Sequence, residues 1–180
     1  METIQCIKER RSVRKFTNEL VSEAVMKQIV EAAAYAPSWK NTQITRYNLI
    51  QKEELIQRIA KDATLQFQGN IKILENAKNI LIISYVKGRS GFERDGSYTT
   101  SKGEQWQMFD AGIATQTFCL AAHNYGIGTV IMGIFDEKEV AKIIGLPETE
   151  AVAAILAIGY PDEDPAAPKR KDVDVLLRIK

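Results

Sequence analysis

Between Glu104 and Tyr125 the chain reads as one long helix with apolar side chains on nearly every side. Trp106, Met108, Phe109, Ala111, Ile113, Ala114, Phe118, Cys119, Leu120, Ala121 and Ala122 leave it no continuous polar face. A helix that is apolar all round is buried all round. The chain has 180 residues, enough for one domain with a sizeable core. A domain of that size rarely covers such a helix alone. Burying one stripe on the chain's own sheet leaves another exposed, and a second copy of the chain is the simplest cover.

The other elements are strands interspersed among helices. Thr3 to Glu9 predicts a short helix. Ser22 is a good N-cap for a helix through Tyr35, with Val25, Ile29, Val30, Ala33 and Ala34 at helical spacing and Pro37 as its stop. Tyr47 to Ile50 predicts a strand and Glu53 to Asp62 a helix. The β-branched run Asn79 to Val86 predicts a buried strand. Lys87 to Gly103 is polar and rich in Gly and Ser, which predicts a long loop. Gly126-Ile127-Gly128 ends the long helix, and Thr129 to Met132 follows as a short strand. Asp136 caps a helix that Gly145 closes. Ala151 to Ile158 is a buried strand ending at Gly159-Tyr160-Pro161. Lys169-Arg170-Lys171 then leads into a last short helix or strand. The pattern is α/β-like, and no repeat or linker divides residues 1–180.

Charge and cysteine content exclude several classes. Charged residues make up 26% and the net charge is +1, so the chain is not a globally basic nucleic-acid binder. No apolar run is long enough to span a bilayer, and Met1-Glu2-Thr3-Ile4-Gln5 lacks a signal-peptide core. Cys6 and Cys119 are the only cysteines and show no CxxC spacing, which argues against a disulfide framework, a structural zinc site or an iron–sulfur cluster. The expected compartment is the cytoplasm. His123 is the only histidine, without an evident acid or nucleophile beside it. If the chain is an enzyme, a cofactor supplies the chemistry.

Two polar segments carry the functional signal. Arg10-Arg11-Ser12-Val13-Arg14 packs three cations and a hydroxyl into five residues. Such a cluster is read as a solvated basic face, a nucleic-acid contact or a small phosphate site. Its position after a helix end, where turn N–H groups add donors, favours the phosphate. Ala36-Pro37-Ser38-Trp39-Lys40-Asn41-Thr42-Gln43 carries hydroxyls and two side-chain amides. Amides both donate and accept, as the edge of a heteroaromatic ring requires. Together the segments point to a ligand with an anionic tail and a polar planar head.

Arg10-Arg11-Ser12-x-Arg14-x-Phe16 resembles the opening signature of the FMN-dependent nitroreductase family. Ala36-Pro37-Ser38-x-x-Asn41-x-Gln43 is similar to that family's second signature. Gly126-Ile127-Gly128 through Gly133-Ile134-Phe135-Asp136 resembles its glycine-rich strand segment, and Gly159-Tyr160-Pro161 followed by Lys169-Arg170 its C-terminal signature. The order of the four motifs is the family's. Ile44-Thr45 and Gly133-Ile134 stand where the family often has Pro-Trp and Gly-Gly.

The resemblance implies an α+β fold, a three-layer α-β-α sandwich with a mixed central sheet, forming an intertwined homodimer with FMN at the interface. It implies phosphate contacts from Arg10, Arg170 and Lys169, with Arg11 in the same cluster. Ser12 is implied at the ribityl chain or ring, and Arg14 at the pyrimidine side of the flavin. Pro37, Ser38 and Asn41 would come from the other subunit, with Gln43 supporting their loop. Asn70 and the backbone at Gly133 and Ile134 would meet the flavin ring. No catalytic side chain is implied. NADH or NADPH reduces the flavin at N5 and leaves, and a nitro compound, quinone or similar electron-poor acceptor then takes its place, a ping-pong scheme. Three alternatives stay open: a flavin enzyme for one metabolite, such as a dehydrogenase or reductive dehalogenase; a flavin-binding protein without turnover; and a nucleic-acid module using Arg10 to Lys15.

Overall fold

β-Branched residues build the centre of the molecule. The computed structural model describes residues 1–180. Strands β1 (Thr45–Ile50), β2 (Asn79–Val86), β3 (Gly128–Met132) and β4 (Glu150–Gly159) form one sheet in the order β1-β2-β4-β3. Side chains alternate across it, as the two-residue period of a strand requires. From β2, Ile80 and Ile82 enter one core while Leu81 and Ile83 enter the other. On β4, Ile83 pairs with Ala154 and Ser84 with Val152, so Ala153 is an extra residue. This β-bulge returns Val152 to the same core as Ile155 and Ala157.

Helices cover both faces. α3 (Glu53–Asp62), α4 (Gln68–Asn76) and α6 (Glu137–Ile144) close the first core with Ile56, Ile59, Leu74, Val140 and Ile143. α2 (Glu23–Ala33) and α5 (Gln105–Asn124) close the second with Met26, Ile29, Phe118 and Cys119. α1 (Thr3–Glu9) packs on α5, and α7 (Val173–Leu176) lies in an exposed tail. The expected α+β class and three layers are present. The expectation of a mixed sheet is corrected: all four strands pair antiparallel, and the parallel contact is a single bridge from Ser12 to Thr129.

Most boundaries agree with the sequence pattern because the caps are local. Ser22 accepts a hydrogen bond from the Val25 N–H, and Asp136 accepts from Lys138 and Glu139. Gly145 adopts the left-handed conformation that closes α6. α2 ends at Ala33, because Tyr35 and Ala36 bond back to Ala32 and Ala33 in a tightened turn. α4 has no sequence-level signal. Its N-cap Phe67 has no side-chain oxygen to cap it, and the fully buried Leu74 holds it in the first core.

Within the single chain α5 buries one stripe and leaves another exposed, as its all-round apolar composition implies. Its inward face carries Ala111, Ala114, Phe118 and Ala122, but also buried Gln107, Asp110 and Thr115. Its outward face leaves Met108 49% and Phe109 57% exposed. No helix of the chain is long and apolar enough to cross a membrane.

Candidate functional site

The arginine segment begins where α1 ends. Arg10 is the C-cap, its N–H bonded to the Cys6 carbonyl at 3.0 Å. The chain then runs beside β3, with the Val13 N–H donating to the Thr129 carbonyl at 3.0 Å. A Cβ on Gly128 would come within 2.8 Å of the Val13 side chain, so glycine permits that close approach. A cleft of about 310 Å³ opens between Arg10, Arg11, His123 and the turn at Glu163.

The cations of this segment differ in freedom. Arg11 donates to the carbonyls of Lys8 and Arg10 at 2.6 and 2.9 Å, so it braces the helix end. Arg14 donates to the Ser12 carbonyl at 3.1 Å. Arg10 makes no ion pair and no side-chain hydrogen bond, and it faces the cleft. The Glu163 carboxylate accepts from the N–H groups of Arg14 and Lys15 at 2.6 and 3.2 Å, which commits it to the backbone.

His123 lines the same cleft, and its Nε2 is buried without a partner. Burial, then the charge of Arg10, hold its pKa below the usual imidazole range; Glu9 opposes this and Arg11 adds to it. The folded chain therefore resists protonating His123, whereas the unfolded chain does not. Below the ordinary imidazole pKa the unfolded state binds more protons, so stability falls as pH falls. The thermal midpoint should drop between about pH 7.5 and about pH 5.5, and the drop should shrink in His123→Gln. Superimposable pH profiles for the two proteins would exclude this role.

The second polar segment is a single 3-10 turn, Trp39–Asn41, entering β1. Lys40, Asn41 and Gln43 all have positive φ, at 43°, 55° and 48°. Such conformations are disfavoured for residues with a Cβ and persist only where neighbours hold them. The Ser38 Oγ accepts from the Gln43 N–H at 3.0 Å, and the Asn41 Oδ1 accepts from the Gln43 Nε2 at 3.2 Å. Asp110, 3% exposed, accepts the Trp39 N–H at 2.9 and 3.1 Å and the Ser90 hydroxyl at 2.5 Å. Ser90 in turn shares a 2.7 Å hydrogen bond with Thr42. Trp39 packs on Trp106 with centroids 4.8 Å apart. Sequence reasoning missed Asp110 and Ser90. The available signal was that Asp110 is the only acidic residue within Gln105–Asn124.

A third pair is joined directly. Asn70 is buried, and its Nδ2 donates to the Ile134 carbonyl at 3.0 Å. Gly133 and Ile134 leave the end of β3 exposed. Lys169 and Arg170 lie exposed in the tail, and neither lines the cleft that holds Arg10.

Strand order sets how these groups can meet. Arg10 to Arg14 and Gly133-Ile134 flank β3 at one edge of the sheet, whereas Pro37 to Gln43 enters β1 at the other. β2 and β4 lie between, so the edges are roughly 14 Å apart at the usual strand spacing. Within one chain the two sets of residues stand on opposite edges of the sheet.

Comparison with known proteins gives a consistent picture. The sequence profile of the nitroreductase family matches residues 7–160. The NADPH-flavin oxidoreductase of Vibrio harveyi is 29% identical over 182 residues, covering 97% of this chain and 72% of the relative. The FMN-dependent nitroreductase of Clostridium difficile superimposes with a TM-score of 0.77 at 25% identity, covering 98% of both chains. A nitroreductase family protein of Streptococcus pneumoniae superimposes with a TM-score of 0.86 over 99% of this chain and all of its own; at 19% identity that likeness concerns the fold.

Proposed function

This chain belongs to the nitroreductase family, and from that premise we propose that it is an FMN-dependent NAD(P)H oxidoreductase for electron-poor acceptors such as nitro compounds and quinones. Residues 1–180 act as a single FMN-binding domain. The observation that carries the reading is the separation of the two polar segments on opposite sheet edges. Two chains in a two-fold pair bring the β3 edge of one against the β1 edge of the other.

The donor set fits a flavin mononucleotide. Arg10 is a cation without a partner, Ser12 stands two residues on, and the orphaned His123 Nε2 lines the same cleft. Arg10, with Lys169 and Arg170 from the tail, would hold the phosphate, and Arg11 would keep the cluster in shape. Ser12 and Arg14 would follow the ribityl chain to the pyrimidine, where a cation favours developing negative charge. Asn70 fixes the Gly133-Ile134 backbone beside the ring. Pro37, Ser38, Asn41 and Gln43 would close the site from the partner chain. FMN, when bound, supplies the hydride-accepting and hydride-donating chemistry. The chain's own work is to bind it, set its charge and leave one ring face open.

The purified protein should be yellow, should release FMN on denaturation, and should bleach anaerobically with NAD(P)H and recolour with a quinone. A colourless protein that takes up no FMN would end this reading. Arg10→Ala should weaken FMN binding by roughly tenfold to a hundredfold, the cost of one charge-assisted contact. Titration of the apoprotein with FMN checks this, and equal affinity in the variant would remove Arg10 from the phosphate site.

A further inference from the structure

Residues 87–103 carry no helix or strand, yet they are tied into a defined shape. A Cβ on Gly91 would meet the Gly103 carbonyl oxygen at 2.1 Å, and Gly91 has φ +86°. Phe92 and Tyr98 bridge each other with rings 5.0 Å apart. The Glu93 N–H bonds to the Ser97 carbonyl at 2.8 Å. This flap is fastened to the Trp39–Asn41 turn and its neighbours at two points. Ser90 meets Thr42, and Glu93 accepts from Lys40 at 3.1 Å and from Thr99 at 2.6 Å.

Between flap and turn lies a cavity of about 590 Å³. Trp39 and Phe92 give it aromatic walls, and Lys40, Glu93, Arg89 and Arg94 give it charge. Lys40 and Glu93 neutralise each other. Arg89 and Arg94 form no ion pair and no side-chain hydrogen bond with the chain. Two unpaired guanidiniums beside aromatic faces match a phosphate monoester carried on a nucleoside.

We infer that this cavity receives the adenosine 2′-phosphate end of NADPH, with Arg89 and Arg94 on the phosphate and Trp39 and Phe92 beside the base. The inference rests on the proposed NAD(P)H oxidoreductase reading. The turn that walls the cavity is the one assigned above to the partner's flavin ring. A dinucleotide with its nicotinamide on that ring carries its other end over this turn. A phosphate monoester brings a charge of about −1.5 to −2, which two free arginines balance. NADH lacks that group, so the cavity discriminates between the two reductants. Both arginines are exposed, so the preference should weaken as salt rises.

Calorimetry on the FMN-loaded protein with 2′,5′-ADP and with 5′-AMP tests the site without turnover. The wild type should bind 2′,5′-ADP roughly tenfold to a hundredfold tighter than 5′-AMP. Its kcat/KM for NADPH over NADH should show a similar ratio. In Arg89→Ala/Arg94→Ala both ratios should fall towards one while the flavin absorbance and thermal midpoint stay in place. Arg89→Lys/Arg94→Lys should retain part of the preference, since charge remains but the bidentate fork is lost. Equal binding of the two nucleotides by the wild type, or an undiminished preference in the alanine variant, overturns the inference. A protein that holds FMN and oxidises NADH and NADPH alike removes the cavity's role and leaves the oxidoreductase reading standing. A protein that binds 2′,5′-ADP through these arginines but oxidises neither dinucleotide keeps the subsite and removes the oxidoreductase reading.

Discussion

Phe109→Glu is expected to give a folded monomer that no longer retains FMN. Phe109 projects from α5 with more than half of its surface exposed, beside the equally open Met108. It contacts Trp106 edge-on at 5.4 Å and contributes to neither core. A charge there therefore spares the interior of the single chain. In a two-fold pair the same side chain is covered twice. Fully burying one Phe contributes about 1.5–3 kcal/mol, and with 57% of Phe109 still exposed the two copies contribute about 2–3.5 kcal/mol to association. Their loss corresponds to a dimer roughly thirtyfold to three-hundredfold weaker. Sedimentation at micromolar concentration should show the variant as a monomer, with unchanged far-ultraviolet circular dichroism and a pale solution. Ala114→Glu is a poorer probe, because Ala114 is buried within the chain and a charge there disturbs the core first. A wild-type protein that sediments as a monomer while holding FMN would refute both the dimer and the shared site.

Asp110→Ala is expected to be the most damaging change at the Pro37–Gln43 loop. Asp110 is the acceptor for the Trp39 N–H and the Ser90 hydroxyl; without it the Trp39 N–H is left unpaired and Ser90 keeps only Thr42. Hydrogen bonds to a charged group contribute about 1.5–3 kcal/mol each, so the variant should lose at most about 3–6 kcal/mol of stability, and less where Ser90 turns to Thr42. The local consequence is larger than the global one. Lys40, Asn41 and Gln43 sit in disfavoured backbone conformations that this network holds in place. Without it the turn should relax and become open to proteolysis near Trp39. Asp110→Asn keeps one carbonyl acceptor, so it should lose about half as much. Urea unfolding measures the global effect and limited proteolysis the local one. A stability change under about 1 kcal/mol for the alanine variant would show that the network does not hold the turn.

Much of the fold was legible because its determinants are local. Ser22, Asp136 and Gly145 cap their helices through their own neighbours, and each stands where the pattern requires it. The continuous apolar runs of β2 and β4 marked strands buried on both faces. α4 was not legible, since Gly69 and Asn70 are weak helix formers and burial of Leu74 is what holds them. The lone acid of α5 was visible, but its partners Trp39 and Ser90 lie 71 and 20 residues away in sequence.

By itself the sequence determined the alternation of helices and strands, the two polar segments and the surplus apolar surface of α5. Those follow from spacing, capping and composition, which act over a few residues. Only the tertiary structure decided that the two polar segments occupy opposite edges of the sheet. Strand order depends on pairings between residues far apart in the chain, such as Ile80 with Ala157. It likewise decided that Arg10 is left unpaired while Arg11 is braced by carbonyls, and that Arg89 and Arg94 share a cavity with Trp39. A charge's availability depends on what stands within a few ångströms of it, and that is a property of packing.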